Sequence, residues 1–141
     1  MKKEDRKAIA SAWLDVGEDA LLAAEHLYSE KRCRSCVSRS YYAAYAFLAS
    51  LLVMKPEITF HEDSEGPGHA SLSDLVGNHL QNEFGFTLRK QIRADIRTLY
   101  AYRLSADYHP RVSVQTDVAH KALGAARTIA KAVRARKEGY S

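Results

Sequence analysis

The stretch YYAAYAFLASLLVM, Tyr41–Met54, decides the fold. It carries no charge, no Gly and no Pro, and it is apolar nearly all the way round a helical wheel. A bilayer span needs ~20 such residues. This run is shorter and reads as a helix buried at the centre of a helical protein. Working outward, the helix starts near Cys33 and ends at Lys55, where Pro56 stops it. Upstream, a first helix runs from about Lys3 to Tyr28, with Ile9, Trp13, Val16, Ala20, Ala24 and Leu27 stacked at steps of three and four.

Downstream, PEITFHEDSEGPG (Pro56–Gly68) is an acidic, Gly/Pro-bearing loop. Ser71 with Asp74 resembles an N-cap that opens a short third helix fading near Asn82. A fourth helix spans about Thr87 to Asp107 and a fifth about Ser113 to Lys137, with residues 138–141 fraying. Five helices with no strand predict an all-α, up-and-down bundle forming one domain over residues 1–141. Seven Gly, three Pro and 46% hydrophobic residues suit that class.

Composition excludes some functions. No apolar run follows the basic start, so no secretion signal and no membrane association are expected, and the predicted location is cytoplasmic. A net charge of +4 and a pI of about 9.1 permit an acidic partner without demanding one. Cys33 and Cys36 form CRSC, which lacks the βαβ setting of a redox motif and the second ligand pair of a zinc site. Two ordinary thiols at a helix start are expected. His61, Glu62, Asp63, Glu65 and His69 sit in the Gly/Pro loop without rigid spacing, so no metal and no cofactor are predicted.

The fourth helix holds the anomaly. At about 100° per residue, Leu88, Ile92, Ile96, Leu99 and Ala106 share one stripe, and Arg103 lies inside it. A guanidinium keeps its charge, so inward placement costs several kcal/mol unless something answers it. Asp107, four residues on, can do so as an i,i+4 pair. Arg89, Lys90, Arg93 and Arg97 fan out along the flank, and Arg127, Lys131 and Arg134 lie on the last helix. Either set can contact RNA phosphates or be a solvated face. Pro110 forces the chain to turn at Tyr108–His109, which lets the imidazole fold back toward Arg103. A fixed cation beside a titratable histidine suits phosphodiester chemistry; a structural Arg–Asp pair and a solvated loop histidine are the alternative. Tyr41, Tyr42 and Tyr45 are expected to pack in the core or an interface with their hydroxyls hydrogen-bonded, while Tyr100 or Tyr102 can stack on exposed bases.

SRSYYAAYAFLASLL (Ser38–Leu52), YRLSADYHP (Tyr102–Pro110) and GHASLSDLV (Gly68–Val76), together with an Ala-rich last helix, resemble the HEPN-domain family over roughly Lys3 to Val133. The branch is one with a Tyr-Tyr-Ala helix and an Arg-x-x-Ala-Asp-Tyr segment. The resemblance implies a homodimeric helical bundle and a metal-independent endoribonuclease acting as a toxin or defence component. Arg103 would hold the scissile phosphate and His109 move a proton, with Asp107, Tyr108 and Tyr102 around the cleft. It also implies a nucleotidyltransferase antitoxin as partner. Leu104 departs from the polar residue that usually follows the arginine, and His109 lies beyond the tyrosine. Both departures feed the alternative of a non-catalytic module that binds nucleotide or RNA, or serves as helical partner of a nucleotidyltransferase.

Overall fold

A computed structural model describes residues 2–60 and 64–139. Among them are five α-helices: α1 (Lys3–Ser29), α2 (Cys33–Leu52), α3 (Leu72–His79), α4 (Phe86–Tyr108) and α5 (Thr116–Gly139). A short 3-10 turn (His69–Ser71) precedes α3, and no strand occurs among the described residues. The expected helical bundle is therefore the observed one.

As its composition requires, α2 is the hub. It packs against α1, α4 and α5 and touches α3. Along its second half, Ala43, Ala44, Ala46, Phe47, Leu48, Ala49 and Leu52 are all essentially inaccessible to solvent.

Small residues let the helices approach. Gly17 of α1 lies so close to Phe47 that an added Cβ would sit 3.1 Å from the ring. This explains a correction to the α1 face. The residues buried there are Ala10, Gly17, Ala20, Leu21 and Ala24, whereas Val16, assigned to the stripe from its spacing, is 47% exposed. The contact with α2 is chosen by smallness, which a hydrophobic pattern does not register.

Two helix ends are closed from a distance. The Arg6 guanidinium donates to the carbonyls of Val53 and Lys55 at 2.9 and 3.0 Å, covering the end of α2. Arg34 does the same for α4, donating to Ser105 and Ala106 at 3.1 and 2.7 Å, to His109 at 3.4 Å and to Val112. Orphan carbonyls at a helix C-terminus favour just such a cation. The α1–α2 turn is a Schellman motif, with Arg32 N–H bonding the Leu27 carbonyl and Lys31 N–H the Tyr28 carbonyl. Lys31 takes the left-handed position there, at φ 60°.

Boundaries shift where the chain signals were weak. α2 ends at Leu52 rather than Lys55, α3 at His79 rather than near Asn82, and α5 begins at Thr116 rather than Ser113. Ser71 makes no side-chain cap, because the 3-10 turn already brings it into α geometry (φ −93°, ψ −9°).

Candidate functional site

The fourth helix delivers Arg103 to the seam with α2. Ile92, Ile96, Leu99 and Ala106 are buried as the stripe predicts, Leu88 at its start is 38% exposed, and the Arg103 side chain is only 12% exposed. Three groups answer its charge. Nε donates to Asp107 Oδ2 at 3.1 Å, and Nη2 donates to the Tyr42 hydroxyl at 3.2 Å and, at the limit of a hydrogen bond, to Tyr108 at 3.5 Å. The guanidinium also lies 5.4–5.6 Å from the ring centroids of Tyr41, Tyr42 and Tyr108, a cation–π cage. Burial opposes its charge, but Tyr42, Tyr108 and Asp107 more than offset this, so its pKa lies above the ordinary value. The i,i+4 pair is real, and Ser38 of α2 supports it by donating to Asp107 Oδ2 at 3.2 Å.

Arg103 Nη1 is different. It makes no hydrogen bond to the described residues, yet it is not sealed from solvent. The cage thus leaves one charged donor open. Alongside lies a cleft of about 510 Å³ lined by Leu27, Arg34, Ser35, Ser38, Arg39, Ala106 and Asp107. Arg39, exposed at its edge, stacks on Tyr42 with 4.6 Å to the centroid.

The histidine at the cage is not the expected one. His109 leaves the α region, as the proline after it favours (φ −121°, ψ 78°), but its exposed side chain bonds to nothing among the described residues. Its backbone, not its imidazole, is engaged, by Ser105, Val112 and Arg34. His69 instead packs against the tyrosines that surround Arg103. Its Nδ1 lies 2.6 Å from the Tyr41 hydroxyl, its ring stacks on Tyr45 at 4.5 Å, and Tyr42 meets it edge-on at 6.1 Å. Burial, and then the Arg103 charge, depress its pKa. By sequence His69 borders a loose acidic loop and opens the GHASLSDLV segment of the resemblance, with nothing to place it beside Arg103. The missed signal is the anchoring of that loop by aromatic residues: Tyr45 donates to the Pro67 carbonyl at 2.5 Å and Trp13 to the Glu65 carbonyl at 2.9 Å.

All three tyrosines of α2 have bonded hydroxyls: Tyr41 to His69, Tyr42 to Arg103 and Tyr45 to Pro67. Burial lifts the Tyr41 pKa and pushes that of Tyr45 up to about 12, so both stay protonated.

Other expected residues fall elsewhere. Tyr102 faces a separate groove between α4 and α5, with Asp95, His120 and Lys121, and makes no bond to Arg103. On the flank, Arg89 is used internally, donating to the Phe84 carbonyl at 2.9 Å. Arg93 lies flat on Gly77 and pairs with Asp74 at 3.2 Å. Lys90 and Arg97 stay exposed. On α5, Arg127 and Arg134 pair with Glu25 and Glu18 of α1. Cationic spacing alone did not show that four of these arginines were already engaged. Of the loop residues weighed for a metal, His61, Glu62 and Asp63 lie outside the described residues.

A five-helix bundle with an arginine caged at a helix–helix seam, one of its donors left open, defines an all-α module with a positioned cation. The chain belongs to the HEPN domain family, whose profile matches residues 10–136. Its fold is similar to that of the crystal structure of TT1696 from Thermus thermophilus, with a TM-score of 0.66 and 19% identity over 89% of this chain and 95% of that one. No curated protein matches the sequence. No described helix is long and apolar enough to cross a membrane.

Proposed function

We propose that this HEPN domain binds RNA through Arg103 and, as a homodimer, cleaves it without a metal in the manner of a toxin or defence ribonuclease. One observation carries the reading: Arg103 is held by Asp107 and Tyr42 yet keeps Nη1 open. A purely structural ion pair has no need of an arginine positioned on three sides and free on the fourth. A fixed guanidinium in a poorly solvated site binds a phosphate and stabilises charge developing on it. Attack by the RNA's own 2′-hydroxyl then needs only proton transfer, the role His109 would fill. DNA lacks that hydroxyl and should resist.

The unattached His109 side chain favours a second reading, a non-catalytic module that binds RNA or nucleotide at the same arginine. The other form of that reading is a helical partner of a nucleotidyltransferase, to which the exposed Tyr108 is accessible.

The deciding experiment incubates RNA with the protein in EDTA, beside Arg103→Ala and His109→Ala. Cleavage that survives chelation, spares DNA and falls at least about 100-fold in both variants supports the enzyme. Wild type that binds RNA through Arg103 but never cuts it supports the binding module. Wild type that neither binds nor cuts RNA refutes both RNA readings.

A further inference from the structure

We propose that His69 is a second RNA-contacting group of the Arg103 site, donating a hydrogen bond from Nε2–H to a phosphate oxygen of the bound strand. The inference rests on the RNA reading above and adds a residue from a different part of the chain.

Tyr41 is 1% exposed, and its hydroxyl has one partner among the described residues, His69 Nδ1. A buried hydroxyl hydrogen without an acceptor is costly, so Tyr41 O–H donates into the Nδ1 lone pair. That choice settles the tautomer: a neutral imidazole accepting at Nδ1 carries its proton on Nε2. Stacking on Tyr45 and the edge of Tyr42 then hold the ring in place. Nε2 has no partner among the described residues, and it is not sealed from solvent. The result is an oriented, unused N–H donor.

His69 belongs to the same tyrosine cluster as the open arginine. The His69 ring and the Arg103 guanidinium both pack against Tyr41, at 5.5 and 5.6 Å from its centroid, and both also touch Tyr42. They are therefore at most about 11 Å apart. A strand held at Arg103 Nη1 can reach Nε2 through the same or the adjoining phosphate. Among the described residues, the charged and titratable groups facing His69 are Arg103 from α4 and Tyr41, Tyr42 and Tyr45 from α2. No carboxylate among the described residues bonds to its ring. A histidine that served only to fill the core would have both nitrogens satisfied or buried.

The test uses a 2′-O-methyl oligoribonucleotide, which binds but cannot be cut. Imidazole nitrogen resonances of the wild-type protein are recorded with and without it, His69 being assigned from His69→Phe. Binding should move the His69 Nε2 resonance, leave Nδ1 bonded to Tyr41 and raise the His69 titration midpoint. His69→Phe, which keeps the ring stack, should bind the oligonucleotide about tenfold more weakly, the loss of one hydrogen bond to a charged acceptor. An unmoved His69 resonance overturns the inference even if His69→Phe misfolds, because single substitutions at the other histidines assign the wild-type spectrum by elimination. If Arg103→Ala loses binding while the His69 signals stay fixed, the RNA reading stands and His69 falls. If wild type does not bind the oligonucleotide, both fall together.

Discussion

Arg34→Met should cost this fold more than the loss of an ordinary half-buried arginine. The guanidinium reaches from the start of α2 to the end of α4 and donates to Ser105 at 3.1 Å and Ala106 at 2.7 Å, with further contacts to His109 and Val112. Methionine keeps most of the aliphatic stem, so the change isolates the charged donors. Each well-formed hydrogen bond from a charged donor contributes about 1.5 kcal/mol net, and a cation at a helix C-terminus adds about 0.5 kcal/mol. Solvent in the adjoining cleft replaces part of this, which leaves a loss of about 2–3 kcal/mol. With a urea slope of about 1.5 kcal/mol/M, the midpoint should fall by about 1.3–2 M at unchanged slope. Arg34→Lys should recover less than half, since one ammonium cannot span carbonyls on both sides of the turn. The assay is urea unfolding followed by helical circular dichroism, with amide exchange at residues 107–112 as the local readout. A loss below about 0.5 kcal/mol, with unchanged exchange there, would refute the claim that Arg34 closes this helix.

Two further outcomes are expected. His69 has a pKa depressed by burial and by Arg103, so the unfolded chain takes up its proton first as pH falls. Its contribution to stability is complete above the unfolded value of about 6.5 and is lost as pH drops through that value toward the depressed one. Unfolding measured from pH 5 to 8 should show this slope in wild type and a shallower one in His69→Phe; equal slopes would show that His69 titrates as if unburied. Cys36 is fully buried and burial pushes its thiol pKa up, whereas Cys33 is half-buried. Iodoacetamide should therefore label Cys33 in the native protein and Cys36 only on unfolding, as peptide mass mapping would read; equal labelling would mean that the start of α2 opens readily.

Much of this protein was legible before any coordinates. An uncharged, Gly-free and Pro-free run of this length exceeds an ordinary strand and is apolar all round, so Tyr41–Met54 pointed to the central helix, which the structure ends at Leu52, and to the all-α class. The angular stripe on α4 likewise determined that Arg103 faces inward, because helical periodicity is a local property. Tertiary structure decided what meets it. Tyr42 lies 61 positions away in the chain, and His69 comes from a segment whose own composition reads as loose loop. Its place depends on Tyr45 and Trp13 holding the 65–67 backbone, a condition set by packing between helices. The same holds for Arg34 and Arg93, whose roles as a helix cap and as a partner of Asp74 come from contacts distant in the chain. Local sequence sets which way a side chain points on its own helix; which group stands opposite depends on how the helices dock, and that is a property of the whole chain.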